Sequence, residues 1–477
     1  MKEFFDWRRQ GDQLPGPPAS LLSGNLREVQ EYGGFFSFLP AMHQRYGKVL
    51  RFWMGSSDLM VSISDQDILS QIASTLHSRP KAAKKALGWL GHESPTFKSH
   101  EELRTIRSKV MPLLMGESLK YLCLVGQERT KRMLDGWKTA TDAVEVASDF
   151  SEITFDIIGV ALFGQEFSST DLGQKFKKLF VHVLREAHPR SEEVIPSFWD
   201  PKYWQWRKSI SRLQDCAEQL IKQRRQALNM NKRKDLLSLV LSEKDGSGNP
   251  FFSDEQARAT IVTFVFAGFD TSASSLAWIC YLLSQHPEVQ ARAQDEVDKV
   301  LAGRLPEFED LDKLNYLTCV VKEAMRLYPP VPEALRALES DLEVGGYSIP
   351  KGATFVIPIS MLHEDEQIWE EPRKFLPERF TQENGKDHPR YAYLPFGTGS
   401  KSCMGARFAM TEIRLVLAMM LQRFSLQLVP EQEVIPEMQS IILQPKYGLR
   451  LNVVTRNMNG TRGQTLEYSA SAGVANA

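Results

Sequence analysis

One long apolar segment restricts the fold of this 477-residue chain more than any other feature. Residues 254–284 have the composition of a single helix, whereas the mean helix of a globular protein has only about 11–12 residues. Asp270 stands at the middle of the most apolar part, residues 259–283, and hydroxyl side chains follow it. A charged side chain at the centre of a bilayer costs several kcal/mol. The segment therefore predicts a buried core helix and not a membrane span.

The rest of the pattern is also mostly helical. Residues 48–64 alternate apolar and polar side chains around a Gly-Ser-Ser-Asp turn, which predicts a β-hairpin. Asp65 is a predicted N-cap, and helical periodicity dominates from there to about residue 303. Further helices are expected at residues 310–328 and 406–424, with short strands after the second of them. The pattern predicts a mainly α fold with minor β.

The domain boundaries follow from composition. Residues 14–18, LPGPP, are a stiff proline-rich segment, and the residues after 457 are polar. No internal repeat or linker is visible between them. We therefore predict one domain over residues 14–456, preceded by an N-terminal segment, residues 1–13, and followed by a disordered tail, residues 457–477.

Charge and cysteine content argue against several functions. The formal net charge of −1 gives no reason to expect nucleic-acid binding. No secretory signal is visible, because residues 1–13 are charged and lack an apolar stretch of about 7–15 residues. The cysteines are widely spaced, odd in number and without a CxxC pair, which argues against a disulfide framework and a structural zinc site. They are Cys123, Cys216, Cys280, Cys319 and Cys403.

A glycine-rich loop, residues 396–405, carries the strongest chemical signal. Its sequence, FGTGSKSCMG, delivers Cys403 to the start of the last predicted helix, where backbone N–H groups and the helix dipole lower the pKa of a thiol. Gly397 and Gly399 allow turns with positive φ. A buried cysteine after a glycine loop is common, but the spaced set FxxGxxxCxG is expected by chance in about one in a thousand chains of this length.

On this loop the chain resembles the cytochrome P-450 family, over residues 14–455. The resemblance implies that Cys403 is the proximal thiolate ligand of a haem b iron, that Phe396 packs under the ring and that Gly405 allows its close approach. A thiolate ligand favours O–O cleavage. The implied single-domain fold places the long helix over the haem and the cysteine loop on the proximal face. The implied activity inserts one atom of dioxygen into a substrate.

Two further motifs follow each other along the chain in the same order as in the cytochrome P-450 family. Residues 323–326, EAMR, match ExxR, and residues 377–380, PERF, match a segment that follows it. An isolated ExxR is more often a surface ion pair. The resemblance implies instead that Glu323, Arg326 and Arg379 form an ion network that braces the cysteine loop.

Residues 267–271, AGFDT, match the family motif in the long helix. The resemblance implies that Gly268 makes room for dioxygen and that Thr271 hydrogen-bonds the bound oxygen. Asp270 would relay protons from solvent, which is general acid chemistry. A threonine in a helix can instead bond to its own backbone.

Haem propionates need cations. Arg336 and Arg107 match the arginines that bind propionates in the family. A second, weaker alignment of the helical motif uses His100 and Arg104, so that Arg104 would take the place of Arg107. Lys401 stands where the family usually has arginine. Lysine keeps the charge but loses the bidentate geometry of a guanidinium.

By family position, the substrate pocket has a mainly apolar lining, which fits a lipophilic small molecule. Glu333 is the charged member of the set, and it could meet a basic group on the substrate, but solvent exposure is the favoured interpretation. The predicted lining comprises Thr263, Phe264, Ala267, Val331, Glu333, Leu335 and Ile441, with residues 87–96 and 440–442 nearby.

Electrons are expected from NADPH through a separate reductase, a flavoprotein or a ferredoxin, because this chain has no flavin or iron–sulfur segment. Basic residues are candidates for its docking face, although scattered surface charge explains them equally well. They are Arg104, Lys109, Lys131, Arg132, Arg407 and Arg414.

The LPGPP segment resembles the hinge that follows the membrane anchor of microsomal family members. It implies the cytosolic face of the endoplasmic reticulum membrane, with peripheral membrane contact, if an anchor has been removed, and the cytoplasm otherwise. A monomer is expected.

Two other functional classes stay open. One is a haem-thiolate isomerase or dehydratase acting on a peroxide, and the other is a haem-binding sensor or carrier without turnover. The pair Asp270 and Thr271 argues against both. NADPH dependence separates the first class from a monooxygenase, and turnover excludes the second.

Overall fold

A long central helix organises the structure, a computed structural model. The structure describes residues 2–73, 78–80, 83–84, 87–164, 167–191, 199–228, 235–384, 388–439 and 441–456. The predicted disordered tail, residues 457–477, lies outside the described residues. The helices are α1 (Lys2–Gly11), α2 (Leu26–Glu31), α3 (Phe35–Tyr46), α4 (Gln66–Ile72), α5 (His100–Val110), α6 (Glu117–Thr139), α7 (Val146–Phe163), α8 (Asp171–Ser191), α9 (Pro201–Leu228), α10 (Leu236–Ser242), α11 (Asp254–Gln285), α12 (Pro287–Leu301), α13 (Asn315–Leu327), α14 (Ile359–His363) and α15 (Ala406–Arg423).

The strands are short and lie around this helical body. They are β1 (Val49–Met54), β2 (Asp58–Ile63), β3 (Val144–Glu145), β4 (Glu333–Ala337), β5 (Leu342–Val344), β6 (Tyr347–Ile349), β7 (Thr354–Pro358), β8 (Phe424–Leu428), β9 (Pro436–Gln439), β10 (Ile442–Pro445) and β11 (Arg450–Thr455). The largest sheet has the order β1-β2-β7-β4, in which β2 and β7 are parallel. The mainly α fold with minor β is confirmed.

The central helix α11 is the predicted core helix. A capping box of Ser253 and Gln256 starts it, and it packs against α7, α9, α13 and α15. By length and composition it could cross a membrane, but most of it is buried inside the protein. Two of its polar side chains have a partner in β10: Ser274 Oγ and Trp278 Nε1 donate to the Leu443 carbonyl oxygen at 2.6 and 3.0 Å. These bonds allow polar side chains in the core without leaving them unpaired.

Several predicted boundaries agree with the structure. The hairpin is β1 and β2, paired antiparallel, and the Asp65 carboxylate accepts from the backbone N–H groups of Asp67 and Ile68 at 2.9 and 3.0 Å. The prediction for residues 310–328 was wrong at its start, because α13 begins at Asn315. There Asp310 accepts from the Glu307 N–H at 2.9 Å and holds residues 308–313 in a 3₁₀ helix.

The N-terminal segment packs on the sheet. Trp7 Nε1 donates to the Ser57 carbonyl oxygen at 2.9 Å, and its ring meets that of Trp53 edge-on at 6.3 Å. Trp53 Nε1 in turn donates to Asp12 Oδ1 at 3.0 Å. Residues 2–12 are therefore in contact with the body of the domain, and the expected boundary at residue 14 is not a break in packing.

Candidate active site

A cavity of about 1040 Å³ lies between the cysteine loop and the central helix. Phe396, Cys403 and Gly405 line it on the side of the loop. Gly268 and Thr271 of α11 line it on the other side. Two motifs separated by more than a hundred residues in the sequence thus face the same space.

The glycine loop has the predicted backbone. Gly397 and Gly399 have φ of +66° and +68°, the left-handed region that glycine adopts without strain. The Cys403 N–H donates to the Phe396 carbonyl oxygen at 2.9 Å, which closes the loop, and α15 starts directly after Gly405. The closed loop presents the cysteine side chain to the cavity.

The prediction that the loop lowers the pKa of Cys403 was wrong for the protein without a metal ion on the sulfur. Burial raises the pKa of this thiol, and the Gly405 N–H and Arg107 oppose that effect only in part. A metal ion that coordinates the sulfur removes the proton outright.

Four cations meet at one end of the cavity, Arg79, Arg107, Arg336 and Lys401. Arg336 is 3% exposed, and burial together with the neighbouring Arg79 lowers its pKa to about 9. Burial, Arg79 and Arg336 lower the pKa of Lys401 to about 8. Like charges that depress one another in a buried place indicate a site for an anion.

The hydrogen bonds of these cations are consistent with an anion-binding site. Arg107 Nη1 donates to the Ser402 carbonyl oxygen at 2.6 Å, and Lys401 Nζ donates to the Lys98 carbonyl oxygen at 2.7 Å. Arg79 Nε is buried without a hydrogen-bond partner among the described residues. Lys401 and Arg336 face the same space although Lys401 replaces the usual arginine. The thiol, the cation cluster and the cavity fit a flat dianionic haem bound through Cys403.

The alternative register for the propionate arginine does not reach this place. His100 and Arg104 have exposed side chains, whereas Arg107 lines the cavity. On α5 these residues lie on the same face, about one turn apart along the helix axis, and of the three Arg107 is the one that lines the cavity.

On the central helix, Gly268 has a second reason to be glycine. A Cβ atom at this position would lie 2.9 Å from Ile158 Cδ1 of α7, so that the close packing of α11 against α7 also requires its absence. Thr271 Oγ1 donates to the Ala267 carbonyl oxygen at 2.6 Å, the self-bonded arrangement available to a helical threonine. Thr271 nevertheless borders the cavity.

Asp270 lies behind the cavity wall and is 8% exposed. Gln444 Nε2 donates to Asp270 Oδ1 at 2.7 Å. Burial raises the pKa of Asp270 to about 6, while Gln444 and Arg185 limit the rise. Asp270 therefore changes its protonation close to neutral pH, next to a threonine that borders the cavity.

The predicted ion network is present and buried. Arg326 Nε and Nη2 donate to the two Glu323 oxygens, each at 2.8 Å, and both side chains have an exposed fraction of 0%. Arg379 Nε donates to Glu323 Oε1 at 3.3 Å. Arg326 also donates to the carbonyl oxygens of His363 and Lys374. The ExxR pair is therefore not a surface ion pair.

His363 connects this network to the cysteine loop, and sequence reasoning missed it. Its Nε2 accepts from the Leu394 N–H at 2.7 Å, so that its proton must lie on Nδ1, which donates to the Arg326 carbonyl oxygen at 3.1 Å. Burial lowers its pKa to about 3, which keeps the ring neutral. Leu394 lies two residues before Phe396, so that the network reaches the start of the loop.

The predicted substrate residues all border the cavity: Thr263, Phe264, Ala267, Val331, Glu333, Leu335 and Ile441. Leu87, Pro95 and Thr96 of the predicted neighbouring segment also border it, and Ser440 lies outside the described residues. The favoured interpretation of Glu333 was wrong, because its side chain faces the cavity and not solvent, and its Oε1 is buried.

Arg79 and Glu412 are further site residues that sequence reasoning missed. Arg79 has no local signal in the sequence, since only tertiary contact brings it to Arg336. Glu412 is 0% exposed on α15, and burial raises its pKa to about 8 despite the nearby Ser272, which borders the cavity. A glutamate three residues before the apolar run 415–421 was a signal that could have been used.

Known proteins share this architecture. The family model described as Cytochrome P450 matches residues 14–453. "Cytochrome P450 3A31" of Mesocricetus auratus is 29% identical over 470 residues, covering 94% of this chain and 92% of that protein. "Cytochrome P450 4B1" of Rattus norvegicus is 30% identical over 476 residues, covering 93% of this chain and 90% of that protein. "Protein LUTEIN DEFICIENT 5, chloroplastic" of Arabidopsis thaliana is 30% identical, covering 95% of this chain and 79% of that protein.

The match covers nearly the whole chain and includes the cysteine loop, the cation cluster and the central helix. A lipophilic substrate and an electron-donating reductase follow from the family, together with haem b, dioxygen and NADPH-derived electrons. The chain belongs to the cytochrome P450 family and is a haem-thiolate monooxygenase.

Proposed function

We propose that this monooxygenase oxidises a lipophilic substrate held in the cavity, with Asp270 and Thr271 supplying protons on the helix side. The observation that carries the proposal is the single cavity bordered by Cys403 on one side and by Gly268 and Thr271 on the other. When bound, haem b supplies the iron chemistry that activates dioxygen. Cys403 and the cation cluster are the groups of this chain that would hold it.

Asp270 and Thr271 divide the proton transfer between them. Asp270 is buried behind the wall, and its pKa of about 6 lets it take up and release a proton near neutral pH. Thr271 is the adjacent hydroxyl on the cavity side, and it must turn from the Ala267 carbonyl oxygen to donate into the cavity. Gln444 holds the Asp270 carboxyl at a fixed place.

Replacing Asp270 by asparagine is expected to lower NADPH-dependent product formation by about 10²-fold, since an amide cannot relay a proton. In the wild type, the rate should also change between about pH 5 and pH 7, where Asp270 ionises, and Asp270→Asn should lose that limb of the profile. The measurement is the rate of NADPH oxidation and of product formation against pH.

Ser274→Ala is the matched control, because Ser274 lies one turn further on α11 and donates to Leu443 instead of bordering the cavity. It should keep the wild-type pH profile. An Asp270→Asn enzyme with unchanged rate and profile would exclude the proposed relay, and turnover without NADPH would favour the isomerase class instead.

The cation cluster gives a second expectation. In the haem-free protein, Lys401→Met should raise the melting temperature by about 1 °C, because it removes repulsion from Arg79 and Arg336. In the haem-loaded protein the same change should speed haem loss several-fold. Thermal melts and haem transfer to excess apomyoglobin measure the two effects, with the exposed Lys131→Met as control. A slower haem loss in Lys401→Met would contradict the assignment.

We also propose that the reductase docks on the basic surface near the cysteine loop. Arg104, Lys131, Arg132 and Arg407 have exposed side chains that support this role. Arg414 does not fit it, because it donates to the Met410 and Leu311 carbonyl oxygens and is largely buried. Lys109 is paired with Glu243 at 3.1 Å.

A monomer at the cytosolic face of the endoplasmic reticulum membrane is the proposed setting. The LPGPP segment, residues 14–18, supports it by its resemblance to a hinge. Phe5, Leu21 and Leu22 support peripheral membrane contact, because these apolar side chains on both sides of that segment are 52%, 55% and 81% exposed.

A further inference from the structure

A carboxyl group without a counter-charge lies in the wall of the active-site cavity. Glu333 opens β4 and borders the cavity together with Val331 and Leu335. Its Oε1 atom is buried and has no hydrogen-bond partner among the described residues. An unsatisfied buried carboxyl destabilises a folded protein, so that an orphaned one in a binding cavity calls for a ligand.

The surroundings of Glu333 do not provide that partner. The chain neighbours are Pro332 and Ala334, and the residue opposite on β7 is Pro358, none of which has a polar side chain. Burial is the single cause that raises the pKa of Glu333 to about 8. Arg336, three residues further along the chain, points its charge to the cation cluster and does not lower this pKa.

Two other carboxylates border the cavity, and neither is buried without a partner, since Asp58 at the start of β2 is exposed to solvent. Glu437 of β9 is paired with Lys446 at 3.0 Å, so that its charge is already balanced. The hydroxyls of Thr263 and Thr271 donate to carbonyl oxygens of their own helix. Within the described part of the cavity wall, Glu333 is therefore the buried acidic group left for a ligand.

We propose that Glu333 selects lipophilic substrates that carry a protonated amine, and that it binds the ammonium group while the apolar remainder fills the cavity. The inference rests on the proposed function, because it concerns the substrate of the same site. A hydrogen bond to a charged donor is about twice as strong as a neutral one and leaves the carboxylate satisfied. An alcohol offers a neutral hydrogen bond alone, and an anionic substrate would be repelled.

The test is isothermal titration calorimetry on the haem-loaded enzyme with three matched compounds. They are N,N-dimethyl-4-phenylbutylamine, its carbon isostere 5-methylhexylbenzene, and 5-phenyl-1-pentanol. A tertiary amine is chosen because its crowded nitrogen is a poor iron ligand. The optical spectrum of the haem is recorded with the amine present, and the absence of the shift that nitrogen coordination produces confirms that the amine does not bind the iron. At pH 8 the wild type should bind the amine about tenfold more tightly than either neutral compound.

Glu333→Gln should weaken the amine by about tenfold or more and leave the isostere nearly unchanged. Glu437→Gln is the matched control, since it alters a carboxylate of the same wall that already has a cation, and it should keep the wild-type ranking. Glu333→Gln should melt no lower than the wild type, because it removes an orphaned buried acid and not a bond.

The pH dependence has a defined sign. Below about pH 8 Glu333 is protonated in the free enzyme and must lose its proton to pair with the ammonium. Amine affinity should therefore rise about tenfold per pH unit from pH 6 towards pH 8 and then level, and Glu333→Gln should abolish this slope. The neutral compounds should show no slope in either protein.

Equal affinity of the wild type for the amine and the neutral compounds, or an unchanged amine affinity in Glu333→Gln, would overturn the assignment. So would an amine that does not bind the haem-loaded wild type at all. The proposed function is tested separately by the Asp270→Asn pH profile. A failure of the amine preference therefore leaves the relay intact, and a failure of the relay does not alter these titrations.

Discussion

Cys403→Ala is expected to abolish the thiolate-type red-shifted Soret band of the reduced carbon monoxide complex and to reduce NADPH-dependent product formation to background. Among the described residues, Cys403 is the cysteine that borders the cavity, with Gly268 and Thr271 on the opposite side. Without it the iron has no thiolate to favour O–O cleavage. The measurement is the optical spectrum of the reduced protein with carbon monoxide, taken together with turnover.

Cys319→Ala is the control for this experiment. Cys319 is buried in α13, and its Sγ donates to the Phe380 carbonyl oxygen at 3.2 Å, away from the cavity lining. It should keep the red-shifted band and lose only a modest amount of stability. A red-shifted band that persists in Cys403→Ala, or that vanishes in Cys319→Ala, would remove Cys403 from the role of ligand.

Arg326→Leu is expected to destabilise the protein by about 3–5 kcal/mol, because it leaves the fully buried Glu323 carboxylate without its main partner. Bonds from Arg326 to the His363 and Lys374 carbonyl oxygens are lost as well, so that the start of the cysteine loop loses its support. We expect little haem-loaded protein to accumulate. The measurements are the free energy of unfolding in urea and the ratio of haem to protein.

Two further variants show whether the loss of stability comes from leaving a buried charge unpaired or from removing any arginine. Arg132→Leu breaks an exposed pair with Glu128, whose side chains are 65% and 49% exposed, and should cost less than about 1 kcal/mol. The double variant Glu323→Leu with Arg326→Leu should recover part of the lost stability, since the fully buried carboxylate is removed together with its main partner. If Arg326→Leu were as stable as Arg132→Leu, the bracing role of the network would be wrong.

Patterns that depend on neighbours in the chain were predictable. Helical periodicity places α11 correctly and the Asp65 cap places α4, because capping and amphipathicity are local properties. Positive φ at Gly397 and Gly399 follows from the turns that the loop must make. The start of α13 was misjudged because Asp310 bonds to Glu307 and extends a 3₁₀ turn, a choice between two local structures of similar free energy.

Electrostatic properties were not predictable in the same way. The pKa of Cys403 was expected to fall at a helix start, but burial, which depends on the whole fold, has the larger effect. Glu333 was expected at the surface, and the pairing of β4 with β7 instead turns it into the cavity. The solvent exposure of Glu333 is set by elements distant in sequence, so that no pattern in its own segment reports it.

The sequence by itself determined the family and predicted the thiolate ligand and residues that border the cavity, since spaced motifs within single chain segments carry the resemblance. Tertiary structure alone brought Arg79 beside Arg336 and Lys401, placed His363 between Arg326 and Leu394, and buried Glu333 without a partner. The physical reason is that desolvation and Coulomb interactions act across space, between groups that the chain order keeps apart.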